Sequence, residues 1–193
     1  MKNIFYAYIN RMKYINRWGL MRNTVPENIQ EHSLQVAILS HALTIIKNTY
    51  FGGMLDEAKA SLYAIYHDCN EIITGDLPTP IKYNNPEISE SYHKIESISK
   101  DKLISMMPNE FKDHYKKILF FEDLDSDYKK IVKAADRLSA YIKCIEEMKA
   151  GNREFNKAAE TIKLSIEKME MPELNYFMEN FIPAYFLTLD EME

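Results

Sequence analysis

The chain is short of glycine, cysteine and positive charge, and each shortage closes off a class of protein. Five glycines in 193 residues are too few for the many turns of a β-rich fold. Leu, Ile, Ala, Lys, Glu and Met dominate instead, and these favour helices. Two cysteines, Cys69 and Cys144, lie inside helical patterns and form no CxxC pair. No disulfide framework is expected, and a reducing cytoplasmic setting is. The formal net charge of −5 argues against a broad surface for a nucleic-acid polymer, yet leaves room for one nucleotide in a local basic pocket. No apolar run is long enough to span a bilayer, so no membrane partner is expected. The N-terminal stretch from Met1 to Asn10 lacks the apolar centre of a secretion signal. There is no Walker motif, GxGxxG sequence, internal repeat or linker.

What is present is ordinary globular composition, 46% apolar and 27% charged, at a length that favours one domain over 1–193. Periodicity divides it into roughly seven to nine helices, an all-α bundle. Ile4, Tyr8, Met12 and Ile15 make a first stripe, ending at Asn16-Arg17-Trp18-Gly19 with the only tryptophan. Asn28 caps the next helix, with Glu31 three residues on as in a capping box. His32, Val36, Leu39, Leu43 and Ile46 share its inward face, and His41 points the other way. Asn48 to Gly53 reads as a loop. Asp56 then caps a helix expected to run through Ile73, with Leu62, Ile65, Cys69 and Ile72 packed and Gly75 as its stop. Asn85-Pro86 opens another helix, carrying Ile88, Tyr92, Ile95 and Ser99 on one face. His93 and His114 sit among charges and read as exposed. A long helix from about Asp127 to Ala150 carries Ile131, Ala135, Leu138, Ile142 and Ile145, broken by Gly151-Asn152. The aromatic tail, Tyr176 to Leu187, either covers the bundle or joins a dimer contact.

The chemistry gathers at Ala64-Ile65-Tyr66-His67-Asp68-Cys69-Asn70-Glu71, followed by Gly75-Asp76-Leu77-Pro78-Thr79-Pro80. A carboxylate at the end of an apolar helix needs a partner, and a metal ion suits it. Glu71, at i+4 from His67 and i+3 from Asp68, falls on the same side of a helix. The patch reads as a metal with a general acid or base beside it. Two more ligands are available in His32 and in Asp136, which adjoins an apolar stripe. Read alone, His32 would be a hydrogen-bonded core residue and Asp136 half of a salt bridge with Arg137 or a lysine. Arg17 and Trp18 alone would be a solvated charge and a core anchor. Together they can form a nucleotide clamp, guanidinium on phosphate and indole on sugar or base. Arg22 is a spare phosphate candidate. Lys82 reads as solvated, and Cys69 as core rather than ligand.

In order, His32, His67-Asp68 and Asp136 match the pattern of the HD-domain metal-dependent phosphohydrolases. Arg17-Trp18, Glu31-His32-Ser33-Leu34-Gln35, Glu71, Gly75 to Pro80 and Lys133-Ala134-Ala135-Asp136 sharpen the match, and nearly the whole chain resembles the bacterial 5′-deoxynucleotidases of the YfbR type. The resemblance implies a single HD-domain helical bundle. It implies one divalent metal, Co, Mn or a similar transition metal, on His32, His67, Asp68 and Asp136. It implies hydrolysis of deoxynucleoside 5′-monophosphates by a homodimer. Catalysis would fall to Glu71, Arg17 and Asp76. Substrate would touch Arg17, Trp18, His32, Asp68, Asp76, Leu77, Pro78, Thr79 and Asp136. Whether Glu71 or Asp76 moves the proton stays open. Three other readings stand beside it: a related hydrolase of cyclic nucleotides or nucleoside triphosphates, an HD-fold oxygenase, and a metal- or nucleotide-binding regulator without catalysis. The oxygenase calls for more histidine ligands than five histidines, three of them poorly placed, supply.

Overall fold

A computed structural model describes residues 3–82 and 85–193, apart from the side chains of Thr79, Pro80 and Leu124. Among the described residues the fold is all-α, with one isolated antiparallel bridge between Asn16 and Asn28. Its helices are α1 (Phe5–Ile9), α2 (Ile29–Tyr50), α3 (Glu57–Tyr66), α4 (Glu71–Thr74), α5 (Thr79–Lys82), α6 (Pro86–Ser105), α7 (Asn109–Leu119), α8 (Phe121–Leu124), α9 (Ser126–Lys149), α10 (Asn156–Glu167) and α11 (Pro172–Asn180). A 3-10 turn, Asn10–Tyr14, prolongs α1. No described helix is long and apolar enough to cross a membrane.

Two long helices, α2 and α9, lie against each other, with α3, α10 and α11 packed around them. The inward stripe of α2 is buried as its spacing predicts: Val36 and Leu43 are sealed from solvent and meet Leu138, Ile142 and Ile145 of α9 in one core. Each such side chain contributes about 1.5–3 kcal/mol by leaving water. The start of α2 is fixed locally: the Asn28 side chain accepts from the Gln30 and Glu31 amides, and Glu31 reaches back to the Asn28 amide. A second apolar cluster, including Phe5, Met12, Ile29, Cys69, Leu103 and Leu119, closes the other end. Burial pushes both thiols, Cys69 and Cys144, up to about 12, so neither is a reactive thiolate.

Several sequence expectations need correcting. The helix from Asp56 stops at Tyr66 and does not reach Ile73. Residues 67–70 form tight turns instead: the Cys69 amide bonds the Tyr66 carbonyl, and the Glu71 amide the Asp68 carbonyl at 2.9 Å. Its packed face is Ala60, Tyr63 and Ala64, while Leu62 and Ile65 are exposed. Ile95, expected on the packed face of α6, is exposed as well. Helix α2 continues through Tyr50, so the loop after it is shorter than Asn48–Gly53. The loop after Gly75 becomes helical at Thr79. Gly75 itself is the stop, at φ +73°, where a side chain would be strained. Phe177 and Ile182 of the tail are buried, and Phe181 and Phe186 are exposed.

Candidate active site

The ligand candidates come from three places. His32 lies in the first turn of α2, His67 and Asp68 in the turns after α3, and Asp136 about three turns into α9. Packing of α2 against both α3 and α9 brings them together. His32 Nε2 lies 3.4 Å from Asp68 Oδ2 and 3.1 Å from Asp136 Oδ1. His67 Nε2 lies 3.1 Å from the same Asp68 oxygen. The donor atoms of His32, His67 and Asp68 all fall within 4.8 Å of one another.

The other nitrogen of each ring tells which way its lone pair points. His67 Nδ1 is 2.7 Å from the Ala64 carbonyl, which only accepts, so that nitrogen carries the proton. His32 Nδ1 is 3.1 Å from Ser139 Oγ, whose own proton goes to Gln35 Oε1 at 2.8 Å. It therefore donates too. In the neutral rings both Nε2 atoms are lone pairs, buried without a hydrogen-bond partner and turned toward carboxylate oxygens. A lone pair 3.1–3.4 Å from an anionic oxygen is repulsive unless a proton on the ring or a metal ion stands between them; burial opposes the ring proton at His67, but Asp68 outweighs it and raises that ring's affinity for a proton. The donor set thus fits a divalent metal, with the Ala64 and Ser139 hydrogen bonds that orient the two imidazoles already in place.

Arg17 borders the cluster. Its Nη1 is 3.5 Å from Asp68 Oδ2 and its Nη2 3.9 Å from Asp136 Oδ1. Burial disfavours its charge, but Asp136, Asp68 and Glu27 outweigh this and hold it protonated. Asp68 and Asp136 are pressed downward in turn: burial would raise them, and imidazoles that carry a proton toward them, with Arg17 for Asp136, win. Glu71 is pushed the opposite way. It is buried, one oxygen has no partner, and burial with the Asp68 and Asp76 charges raises its carboxyl well above the usual range. Asp76 is raised by burial and steadied by Arg17. A depressed pair beside a raised carboxyl separates groups that stay ionised from one that can hold a proton.

Of the other expected site residues, Trp18 is half-buried against Phe155, and Leu77 and Pro78 are half-buried in the loop that leads into α5. Thr79 begins α5, but its side chain lies outside the described residues. Arg22 is exposed, its backbone amide bonded to Glu154. His41, His93 and His114 are exposed. Lys82 is not simply solvated: it pairs with Glu96 at 2.8 Å and lies over the Tyr92 ring. Asp136 pairs with Arg17, not with Arg137 or a lysine. On sequence grounds Gln35 has no role, and Glu27, Ser139, Lys143 and Glu147 are not expected in the site's surroundings. Lys143 and Glu147 are spaced i,i+4, which on sequence grounds reads as an ordinary exposed pair. Glu27 carries no local signal.

An all-α bundle with this His, His-Asp, Asp constellation is a phosphohydrolase fold of the HD type. The same fold occurs in an HD-domain phosphohydrolase of Listeria innocua, with a TM-score of 0.83 at 21% identity over 97% of this chain and 90% of that one. It also occurs in the cyanophage S-2L HD phosphohydrolase DatZ, solved with dA and one catalytic Zn2+, at a TM-score of 0.63 and 21% identity over 93% and 95% of the two chains. The chain belongs to the 5′-deoxynucleotidase YfbR-like family, whose pattern matches residues 4–185. A 5′-deoxynucleotidase of Shewanella oneidensis is 50% identical to it over 100% of this chain and 98% of its own. One of Vibrio parahaemolyticus is 47% identical over 97% of each.

Proposed function

We propose that this chain is a 5′-deoxynucleotidase, hydrolysing 2′-deoxyribonucleoside 5′-monophosphates to deoxynucleoside and phosphate. The observation that carries the reading is the pair of buried Nε2 lone pairs turned on one Asp68 oxygen, with the Arg17 guanidinium beside them, in a chain of this family. His32, His67, Asp68 and Asp136 would hold one divalent metal. Two imidazoles and two carboxylates suit a borderline transition ion such as Co, Mn, Zn or Fe. When bound, such an ion supplies positive charge to phosphoryl oxygens and acidifies water.

The chain's own groups do the rest. Arg17 grips non-reacting phosphate oxygens and holds phosphorus in line, since phosphoryl transfer is mostly positioning and electrostatics. Water oxygen joins phosphorus, the P–O5′ bond breaks, and a proton must reach O5′. Glu71, the carboxyl held above the usual range, is the group to move that proton. Asp76, steadied by Arg17, orients sugar or water. Trp18, Leu77 and Pro78 line the sugar side.

We take residues 1–193 to work as one HD-type domain, in the cytoplasm, and as a homodimer. Leu34 and Ile38 are exposed one turn apart on α2, and Phe181 and Phe186 are exposed in the tail, surfaces that a second copy would cover. The test of function is phosphate release from the metal-reconstituted protein across ribo- and deoxyribonucleoside 5′-monophosphates. Preferential release from the deoxy series supports the reading, and release from neither series removes it. Sedimentation reads the oligomer.

A further inference from the structure

Arg17 and Trp18 are adjacent in sequence, yet their side chains serve different parts of a nucleotide in the function proposed above. Both are tied to one atom. Glu27 Oε2 accepts from Arg17 Nε at 3.1 Å and from Trp18 Nε1 at 2.9 Å. The Glu27 main chain adds a third tie, its carbonyl accepting the Arg17 amide at 2.9 Å. The Asn16–Asn28 bridge and the Ile29 amide on the Ile15 carbonyl set these two segments in register.

The geometry has consequences for each partner. With Nε held by Glu27, only the terminal nitrogens of Arg17 face the cluster, toward Asp68 and Asp136. Without Glu27, the carboxylates remaining within 4 Å of the guanidinium are those two metal-ligand candidates. Trp18 has φ +59°, a left-handed conformation that a bulky residue holds only when its surroundings over-determine it. Those surroundings are the Glu27 carboxylate on the indole, the Phe155 ring 5.3 Å away, and the Met21 amide on the Trp18 carbonyl. Behind the loop, buried Glu147 accepts from the Thr24 and Val25 amides and fixes its far end.

We infer that Glu27 is a positioning residue that couples the phosphate grip of Arg17 to the sugar contact of Trp18. It touches neither substrate nor metal ligands. One carboxylate sets both the phosphate-facing edge of the guanidinium and the plane of the indole. Loss of Glu27 should therefore damage turnover and sugar selectivity together, where loss of Arg17 or Trp18 would damage one each. The inference rests on the proposed deoxynucleotidase reading, so its test needs a readout that does not depend on activity. Trp18 supplies it, because its emission is the only tryptophan emission of the protein.

The experiment compares wild type, Glu27→Ala, Glu27→Asp and Glu27→Gln in the metal-loaded full chain. Tryptophan emission and anisotropy are recorded first, then kcat/KM for dAMP and AMP. Glu27→Ala should shift the emission to the red, lower the anisotropy, reduce kcat/KM for dAMP about 100-fold and bring the dAMP:AMP ratio toward one. Glu27→Asp, whose shorter carboxylate cannot reach both donors, should do the same in part, and it decides the question if the alanine variant does not fold. Glu27→Gln keeps an oxygen able to accept both bonds, and should keep the wild-type emission and sugar ratio. Wild-type emission together with a wild-type ratio in Glu27→Ala or Glu27→Asp would overturn the inference. A wild-type protein inactive on both nucleotides removes the functional reading alone, and the emission then decides whether Glu27 fixes the indole.

Discussion

Helix α9 carries two buried ionic networks, and they are built on opposite plans. Glu147, near its end, is sealed from solvent and saturated. Its oxygens accept from the Thr24 amide and hydroxyl, the Val25 amide, Asn152 Nδ2 and the Lys143 ammonium. Lys143 also donates to the Val25 carbonyl. Asp136, about three turns earlier on the same helix, faces His32 and Arg17 in a cluster that is not saturated. There His32 Nε2, His67 Nε2 and Glu71 Oε2 are buried without hydrogen-bond partners. Both carboxyls are held well below the usual range. A pKa alone does not distinguish them. What distinguishes them is whether each buried polar group has its partner inside the protein. An unpartnered polar group costs free energy that only a ligand or water recovers, so the first network holds the fold and the second awaits a guest.

The contrast can be broken most severely at the ligands. His67→Ala or Asp68→Ala should abolish metal binding and phosphate release together, while circular dichroism stays that of a helical protein. Metal analysis and turnover on the same preparation check this, and near-normal metal content in either variant would remove it from the ligand set. Glu71→Ala comes next. It should keep the metal and bind nucleotide but release phosphate ~100- to 10,000-fold more slowly, the usual contribution of a general acid or base. Unchanged release would move the proton to Asp76.

The saturated network should fail differently. Glu147→Ala strands the buried Lys143 charge, and removing one partner of a buried pair costs about 3–5 kcal/mol. Urea unfolding should show that loss while metal content per folded molecule is unchanged. Acid acts on the same group. Burial alone would raise the Glu147 carboxyl, but the hydrogen bonds from Lys143, Thr24 and Asn152 lower it below the ordinary 4.5. Its folded value lies below its unfolded value, so the stability it lends is complete above about 4.5 and drains away as pH falls toward the depressed value. The urea midpoint of wild type should therefore fall more steeply between about pH 5 and pH 3 than that of Glu147→Gln. Equal slopes would assign the acid sensitivity to other carboxyls.

The smallest expected effect is on sugar choice. An indole packed against the 2′ carbon leaves a ribose hydroxyl without a partner, and burying one costs about 1–3 kcal/mol. Trp18→Ala should therefore lower the dAMP:AMP preference roughly ten- to hundredfold at most, whereas Arg17→Ala should slow both substrates alike. A preference untouched by Trp18→Ala would make tryptophan a packing residue only.

Much of this was legible along the chain because the signals were local. The Asn28–Glu31 cap, the α2 and α9 stripes, the Gly75 stop and the Asn85-Pro86 start each depend on residues within a turn or two. The stretch around His67 was misread for the opposite reason. Periodicity ran on past Tyr66, where the chain instead forms tight turns at 67–70, and within α3 it is the smaller Ala60 and Ala64, with Tyr63, that face the core while Leu62 and Ile65 face solvent. Of the candidate site, the residue types were visible. Their orientation was not, because the direction of an imidazole lone pair depends on Ala64 for one ring and, for the other, on Ser139 of α9 and the Gln35 that takes its proton.

The sequence by itself determined an all-α chain, the helices that carry His32 and Asp136, and the resemblance to a phosphohydrolase family, since each rests on residue type and short spacing. Only the tertiary structure decided which carboxylates became saturated and which were left open. That choice turns on segments more than a hundred residues apart, Thr24 meeting Glu147 and His32 meeting Asp136. Hydrogen bonds reach about 3 Å, and no periodicity reports which distant groups will come within that distance once α2 and α9 have packed.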